Sequence, residues 1–220
     1  SSPTQLTANL TIATVAALGA RNIGVTNPLP GGGTATLTNG FMVGNPAPTV
    51  SAVAPASGSR GQSLTMNVTG TGFFSGATTV SFGPNIDVAS IGVLGPTHLT
   101  ANITVTAGAA TGARSVQVTN PVPGGGTVGL TGGFTVTNPA PTIVGIAPNS
   151  VVRGGTVSVT VTGNQFIDGV TSLGLGPDLT LTSFSVRSST ELQANISAGS
   201  TANAGVRDVS VTNSGPGGGT

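Results

Sequence analysis

The chain has 220 residues, a net charge of +1 and only 5% charged residues, and its basic residues are all arginine. Six scattered cations do not form the clustered positive surface that nucleic-acid binding needs, and the absence of cysteine excludes disulfides and thiolate metal sites. Hydrophobic residues make up 37% of the chain, so cores can form and disorder is not expected. No apolar run approaches the roughly 18 residues of a membrane span.

An internal repeat without gaps organises the chain. Phe41 recurs as Phe134, which sets a period of 93 residues, and the tract NPLPGGGT at residues 27–34 returns as NPVPGGGT and NSGPGGGT. Fixed-period similarity indicates an array of one structural unit. We therefore divide the chain into residues 1–45, the C-terminal half of a repeat; 46–138, a complete repeat; and 139–220, a repeat lacking its last strand. The chain is expected to be part of a longer array.

Short alternating runs of Val, Thr and Ser, broken by Gly, Pro and Asn, predict β-strands throughout the unit. In the complete unit the predicted strands are residues 49–53, 63–69, 78–82, 88–94, 99–105, 115–119 and 130–136. In the second of these, Leu64, Met66 and Val68 alternate with polar residues, which gives an apolar face that another sheet must cover. Seven strands in about 90 residues predict an all-β fold of tandem immunoglobulin-like β-sandwiches.

Proline-rich linkers separate the units, with Pro46 and Pro48 in the first and Pro139 and Pro141 in the second. Prolines fix φ and bias the preceding residue toward extended geometry, so we expect stiff linkers that hold the units in a rod. The glycine triplets do not match a phosphate-binding loop, because Thr follows them instead of Lys and a strand is expected behind them. They are predicted to form a mobile loop between the last two strands.

The order of motifs in the unit resembles the IPT/TIG domain, an immunoglobulin-like (E-set) module found in repetitive bacterial surface proteins. The motifs are PTV at residues 48–50, GTGF at 70–73, VSFG at 80–83 and GFTV at 133–136. The third unit departs from them, since Gln165 replaces the second Gly of GxGF and Leu175 replaces the Phe before Gly176. The resemblance implies a binding or spacer module and does not by itself imply chemistry.

Catalytic and metal-binding patterns are not apparent. The single histidine is His98, and the acidic residues are Asp87, Asp168, Asp178, Glu191 and Asp208. They form neither a paired acid/base arrangement nor a calcium loop with ligands at alternating positions. We therefore expect no enzyme activity, no metal and no cofactor.

The arginines recur at equal phase in the units, which suggests the same local partner each time. Two sets are apparent, and they comprise Arg60 with Arg153, and Arg21 with Arg114 and Arg207. One interpretation is that they cap carbonyl groups at strand ends. The other is that they make contacts between units or between neighbouring chains.

Four Asn-x-Ser/Thr sequences are candidate glycosylation sites, at Asn9, Asn67, Asn102 and Asn195. The first, third and fourth occupy the same position of the repeat. An acceptor in each unit is compatible with surface glycosylation, although Thr-rich strands also produce such triplets by chance.

Two hypotheses of function follow. The first is an extracellular or cell-surface structural protein, whose tandem units build a stalk, fibre or filament with neighbouring repeats and other copies of the same protein as partners. Sparse charge favours it, because lateral repulsion is weak. The alternative is an adhesive or carbohydrate-binding module, or a spacer attached to an enzyme elsewhere in the parent chain. The absence of Trp and Tyr, the usual sugar platforms, disfavours a glycan site here.

Overall fold

The computed structural model describes residues 3–220, and this part of the chain is built of β-strands without a helix. The strands are β1 (Gly19–Thr26), β2 (Thr34–Val43), β3 (Thr49–Ala54), β4 (Ser57–Ser59), β5 (Ser63–Thr71), β6 (Thr79–Ser81), β7 (Ile86–Gly95), β8 (His98–Val105), β9 (Gly112–Asn120), β10 (Gly126–Thr137), β11 (Thr142–Ala147), β12 (Thr156–Asn164), β13 (Thr171–Leu175), β14 (Leu179–Ser188), β15 (Glu191–Ala198) and β16 (Val209–Asn213).

Strands β3 to β10 form a two-sheet immunoglobulin-like sandwich, and we call the predicted complete repeat that contains them, residues 46–138, the middle unit. One sheet has the order β3-β5-β8-β7 and the other the order β4-β10-β9-β6. In the second sheet β4 and β10 are parallel, and all other strand pairs of the two sheets are antiparallel. This arrangement confirms the predicted all-β, immunoglobulin-like fold. All seven predicted strands are present; the eighth, β4, has the sequence Ser-Gly-Ser, which carries no hydrophobic alternation to reveal it.

Aliphatic side chains and three phenylalanines, Phe73, Phe82 and Phe134, fill the space between the sheets. Met66 and Val68 of β5 are fully buried, as are Val116 and Val118 of β9 and Phe134 and Val136 of β10. The rings of Phe82 and Phe134 meet edge to face, with centroids 5.6 Å apart and an interplanar angle of 77°. Such aromatic pairs contribute stability beyond the area they bury.

Hydroxyl groups, in place of charges, connect neighbouring strands on the outer faces. The Oγ1 atoms of Thr49 and Thr71 are 2.8 Å apart, and the Oγ of Ser63 lies 2.9 Å from the Oγ1 of Thr104. Threonine pairs across strands each stabilise a sheet by a few tenths of a kcal/mol, to about 1 kcal/mol. The unusually low charge of the chain is therefore compatible with well-connected sheets.

The flanking segments repeat parts of the same sandwich. In residues 139–220, the sheet β11-β12-β15-β14 matches the first sheet of the middle unit, and β13 pairs with β16. No described residue supplies a counterpart of β10, and residues 149–152, which align with the β4 region, are not in a strand. At the other end, β1 and β2 form a hairpin in the register of β9 and β10, with Arg21 opposite Phe41.

Replacing Phe134 by Ala should lower the free energy of unfolding of the middle unit by about 3–5 kcal/mol, because the fully buried ring leaves a cavity against Phe82. Leu94→Ala is the control, since Leu94 is 73% exposed and its change should stay within about 0.5 kcal/mol. Hydrogen exchange of the β9 amides measures both. Equal losses in the two variants would contradict this packing.

Candidate functional site

A network of hydrogen bonds lies at the joints between units, where a glycine loop holds the linker. We use "glycine loop" for residues 120–126 and 213–219, which connect or follow the next-to-last strand of their units. In the first joint the Asn45 N–H donates to the Pro123 carbonyl at 2.7 Å, and the Gly125 N–H donates to the Asn45 carbonyl at 2.8 Å. The Asn45 side-chain amide also donates to Pro121 O at 2.7 Å. The last residue of one unit is thus hydrogen-bonded through its main chain to the loop of the next.

A second asparagine, Asn120, fixes the loop to the linker and to its own unit. Its side-chain nitrogen donates to the Pro46 carbonyl at 2.8 Å and to the Gly72 carbonyl at 2.7 Å. Its Oδ1 accepts a hydrogen bond from Thr78 Oγ1 at 2.6 Å, and the Phe74 N–H donates to that same hydroxyl. Asn120 is only 1% exposed, so these bonds form away from water. A buried amide with all its partners in place holds the surrounding backbone in one arrangement.

The second joint repeats the first, bond for bond. The Asn138 N–H donates to Pro216 O at 2.8 Å, Gly218 N–H donates to Asn138 O at 2.7 Å, and Asn138 Nδ2 donates to Ser214 O at 2.9 Å. The counterpart of Asn120 is Asn213, which is 1% exposed. The acceptors and donors of the Asn213 amide are Pro139 O at 2.8 Å, Gln165 O at 2.8 Å and Thr171 Oγ1 at 2.6 Å. Two sequences that differ at several positions therefore form the same joint.

Glycine is required in the loop by backbone conformation and by close approach. Gly124 and Gly125 have φ of +72° and +63°, in the left-handed region. A Cβ on Gly124 would lie 2.5 Å from the Asn45 carbonyl oxygen, and one on Gly125 would lie 2.3 Å from the Asn120 carbonyl oxygen. The prediction of a mobile loop is therefore replaced by a loop that is bonded to the linker in both joints.

The predicted linker prolines take two different positions. The carbonyls of Pro46 and Pro139 accept the bonds from the loop asparagines, whereas Pro48 and Pro141 are buried just before β3 and β11. Each linker is held by hydrogen bonds as well as by the fixed φ angles of its prolines. Its backbone is therefore less free to rotate than that of a linker of the same length without these constraints.

The middle unit is entered and left at opposite ends. β10 begins at the glycine loop that holds the incoming linker, and runs for 12 residues to Thr137. Asn138, the next residue, is bonded to the following glycine loop. A 12-residue strand is about 40 Å long, so the two joints of the middle unit are separated by roughly the length of the sandwich.

Three of the predicted arginines bond to the carbonyl four residues before them. Arg21 donates to Ala17, Arg114 to Ala110, and Arg207 to Asn203 at 2.8 Å. Arg207 also lies 3.4 Å from the carboxylate of Asp178, within the same unit. The bonds of these three arginines therefore match carbonyl capping. Contacts of the arginines with neighbouring chains stay a prediction.

The two members of the other arginine set have different surroundings. Arg60 donates from Nε to the Ala109 carbonyl at 2.7 Å and lines a crevice of about 390 Å³ with Pro139, Ala140 and Gln165, between the middle and last units. Its counterpart Arg153 is exposed. A contact of Arg60 or Arg153 with a neighbouring unit stays a prediction.

The candidate glycosylation sites differ in their surroundings. Asn67 and Asn102 lie on the exposed face of β5 and β8, but both ends of the Asn102 amide are occupied, by Thr65 Oγ1 at 2.7 Å and Ser90 Oγ at 2.9 Å. Asn195 is half-buried in β15, and Asn9 is exposed outside any strand. Glycosylation of these residues stays a prediction.

The joint asparagines were not singled out from the sequence. The repeat shows that four asparagines recur without change, Asn45 as Asn138 and Asn120 as Asn213. It does not show which groups their side chains contact. Within residues 3–220 no three His, Cys, Asp or Glu side chains group in a way that could hold a metal. The described part of the chain also has no helix with the length and hydropathy of a membrane span.

Comparison with known proteins gives one family-model match, to quinohemoprotein amine dehydrogenase, alpha subunit domain III, over residues 47–123. The match covers about a third of the chain and runs from the first linker into the glycine loop of the middle unit. It is not a match to the IPT/TIG family that the motif order resembles. A search of curated proteins finds no match.

Solved structures with some similarity include titin Ig tandem domains, at 12% identity and a TM-score of 0.34, covering 81% of this chain and 94% of that one. Another is SGBP-B of the Bacteroides ovatus mixed-linkage glucan utilization locus, in complex with a heptasaccharide, at 19% identity and a TM-score of 0.28, covering 89% and 47%. Domains 5-6 of the S-layer protein SbsC match at 14% identity and a TM-score of 0.26, covering 74% and 91%. Similarities this low say nothing about function.

Replacing Asn120 by Ala should loosen the first joint, because the Pro46 and Gly72 carbonyls and the Thr78 hydroxyl lose a buried partner. The expected cost is about 1–3 kcal/mol, measured as faster hydrogen exchange of the Gly125 amide. Asn27→Ala is the matched control: Asn27 is the same position of the first half-unit but is exposed, so its change should stay within about 0.5 kcal/mol. Unchanged exchange of Gly125 in the Asn120 variant would show that this asparagine does not hold the joint.

Proposed function

We propose that this chain is an extracellular structural protein whose tandem immunoglobulin-like units build a stalk, fibre or filament at the cell surface. The observation that carries the proposal is the pair of equivalent joints, in which a glycine loop binds the end of the preceding unit. A tether that only connects domains needs no such network. Conserving a set of buried hydrogen bonds in two joints is consistent with a defined angle between units.

The path of the chain supports a linear array. Because a unit is entered at its glycine loop and left at the far end of its last strand, each added unit extends the array by about one sandwich length. The accessible surface also supports an extended shape: it measures 12482 Å², against about 9,000 Å² for a compact monomer of 21.0 kDa.

The surface chemistry is consistent with a role in which copies lie side by side. Few charges repel neighbouring chains, and the hydroxyl groups of the outer faces are already bonded across strands, as at Thr119 and Thr127, whose Oγ1 atoms are 2.8 Å apart. An IPT/TIG-like module of a repetitive surface protein fits this chemistry. Its partners would be neighbouring repeats and other copies of the same protein.

The adhesive alternative has less support in this part of the chain. Carbohydrate sites use aromatic faces, and the sequence has no Trp or Tyr, while Phe73, Phe82, Phe134 and Phe166 are buried in the cores. Any adhesive or enzymatic function would therefore belong to other parts of a parent protein, with these units as its spacer.

Small-angle X-ray scattering of the 220-residue chain tests the linear array. A compact globule of this length has a radius of gyration of about 17 Å, and the array should give a clearly larger value with a pair-distance distribution that has a long tail. A value near 17 Å would mean that the units fold back on one another, which the proposal does not allow.

The same measurement separates a rigid array from a flexible one. Gly125→Val introduces a side chain where φ is +63° and where a Cβ meets a carbonyl oxygen, so the linker should be released and the scattering should show greater flexibility. Gly129→Ala is the control, because a Cβ there makes only ordinary contacts, the nearest at 3.9 Å. Equal flexibility in both variants would show that the glycine loop does not restrain the linker.

A further inference from the structure

In the middle unit, parallel contacts join the chain that enters the unit to the strand that leaves it. β4 runs parallel to residues 135–137 of β10, and we call these two segments the parallel pair. The isolated bridge between Asn45 and Gly124 in the first joint is also parallel. The other strand pairs of this unit are antiparallel. Neither parallel contact involves the first or last residues of the sequence.

The parallel pair responds to tension along the array in a specific way. A pull on the first joint draws β4 toward the end where the chain enters, and a pull on Asn138 draws β10 toward the end where it leaves. The two strands are therefore displaced in opposite directions along a common axis, and the hydrogen bonds between them are loaded together. When the free ends of an antiparallel hairpin are pulled apart, the bonds instead break one after another.

Further hydrogen bonds extend the parallel pair beyond both ends of β4. The Thr135 N–H donates to the Ala56 carbonyl at 2.9 Å, just before β4 begins. The Arg60 N–H donates to the Thr137 carbonyl at 3.0 Å, just after β4 ends. The hydroxyl oxygens of Ser59 and Thr137 are 3.0 Å apart. The short β4 is thus held to β10 along its whole length.

The centre of the parallel pair is shielded from water. Val136 is fully buried and Gly58 is buried opposite it. A Cβ on Gly58 would lie 3.0 Å from the Phe134 ring, so β4 lies directly on the core. Hydrogen bonds in such surroundings are stronger than bonds that compete with water, which favours a pair that separates in one step.

The first joint keeps the pull in line with β10. The N–H and the carbonyl of Asn45 are bonded to the glycine loop at Pro123 and Gly125, and β10 begins at the next residue, Gly126. Tension that arrives at Asn45 therefore enters the unit where β10 starts, and it leaves the unit at Asn138, where β10 has ended. The load acts along the axis of the strand.

We propose that the middle unit is a load-bearing module, in which the parallel pair opposes unfolding when the array is stretched. This role rests on the proposed function, because a stalk or fibre meets tension along its length. The two are nevertheless tested separately. A unit that unfolds easily under force would leave the linear array intact, and a compact chain in solution scattering would not change the force at which the unit unfolds.

The absence of cysteine allows handles for optical tweezers to be attached at chosen positions. Met42→Cys with Ala140→Cys stretches the middle unit along the array, through the first joint and the parallel pair. Asp87→Cys with Ala107→Cys pulls apart the open end of the β7–β8 hairpin, where Asp87 is opposite Thr104. All four handle positions are exposed.

At the same loading rate, the middle unit should unfold along the array at a clearly higher force than the force that opens the β7–β8 hairpin. The reason is that the bonds of the parallel pair are loaded together and those of the hairpin one at a time. Equal forces in the two directions, or a lower force along the array, would overturn the proposal.

Substitutions of Arg60 test the parallel pair itself. Gly61 has a φ of +79°, and the Gln62 N–H donates to the Ser59 carbonyl at 3.0 Å, which is the pattern of a type II turn with Arg60 at its second position. Because proline is favoured there, Arg60→Pro keeps the turn and removes the N–H that bonds to Thr137. Arg60→Ala is the matched control, since it loses the same side chain and retains the N–H.

At a constant force along the array, the Arg60→Pro chain should unfold about tenfold faster than the Arg60→Ala chain, as expected for the loss of one main-chain hydrogen bond. When the β7–β8 hairpin is pulled instead, the two variants should open at the same rate. Equal rates of the two variants along the array would show that the parallel pair does not carry the load. A proline variant that is faster in both directions alike would show a general loss of stability and would also overturn the proposal.

Discussion

Main-chain groups at the junction of two domains must either stay hydrated or find partners, and in this chain they find partners in the neighbouring unit. The N–H and carbonyl of Asn45 are both bonded to the glycine loop, as are those of Asn138 in the next joint. The buried amides of Asn120 and Asn213 then tie each loop to its linker. Since an unpaired buried polar group costs about 1–3 kcal/mol, breaking these bonds without replacing them is unfavourable.

The sandwich carries little charge, and it is stabilised by other interactions. Aliphatic cores built around pairs such as Phe82 and Phe134 supply the hydrophobic term, and hydroxyl pairs connect the strands on the outside. Arginines satisfy carbonyls of nearby loops and make few ion pairs; within residues 3–220 the salt bridge of Arg207 and Asp178 is the example. A surface of this kind repels its own copies weakly.

The fold was largely predictable from the sequence, whereas the joint was not. Alternation of apolar and polar residues has the period of a strand, so the seven strands of the middle unit could be placed from it. The short β4 lacks that signal, and it depends on pairing with residues 135–137 of β10, far away in the chain. The glycine triplet indicated permissive backbone, but the same residues serve a flexible loop or a close main-chain contact. The loop makes a close main-chain contact because Asn45 lies against it, and the position of Asn45 is known only from the folded chain.

The arginines illustrate the same limit. Their equal phase in the repeat indicated a recurring partner, and sequence alone left open whether that partner was local or in another unit. The bonds of Arg21 and Arg114 to the carbonyls four residues before them depend on loop conformation, which the repeat does not encode. The repeat indicates that each arginine has an equivalent contact in every unit, but it does not identify the group that the arginine contacts.

The central claim, that the joints hold consecutive units in one orientation, is tested most directly by a distance distribution between spin labels. Labels on Asp87→Cys and Thr180→Cys would sit at aligned exposed positions of β7 and β14, in the middle and last units. A single narrow distribution is expected, and it should broaden when Gly218→Val disrupts the second joint. A broad distribution in the otherwise unaltered chain would contradict the account.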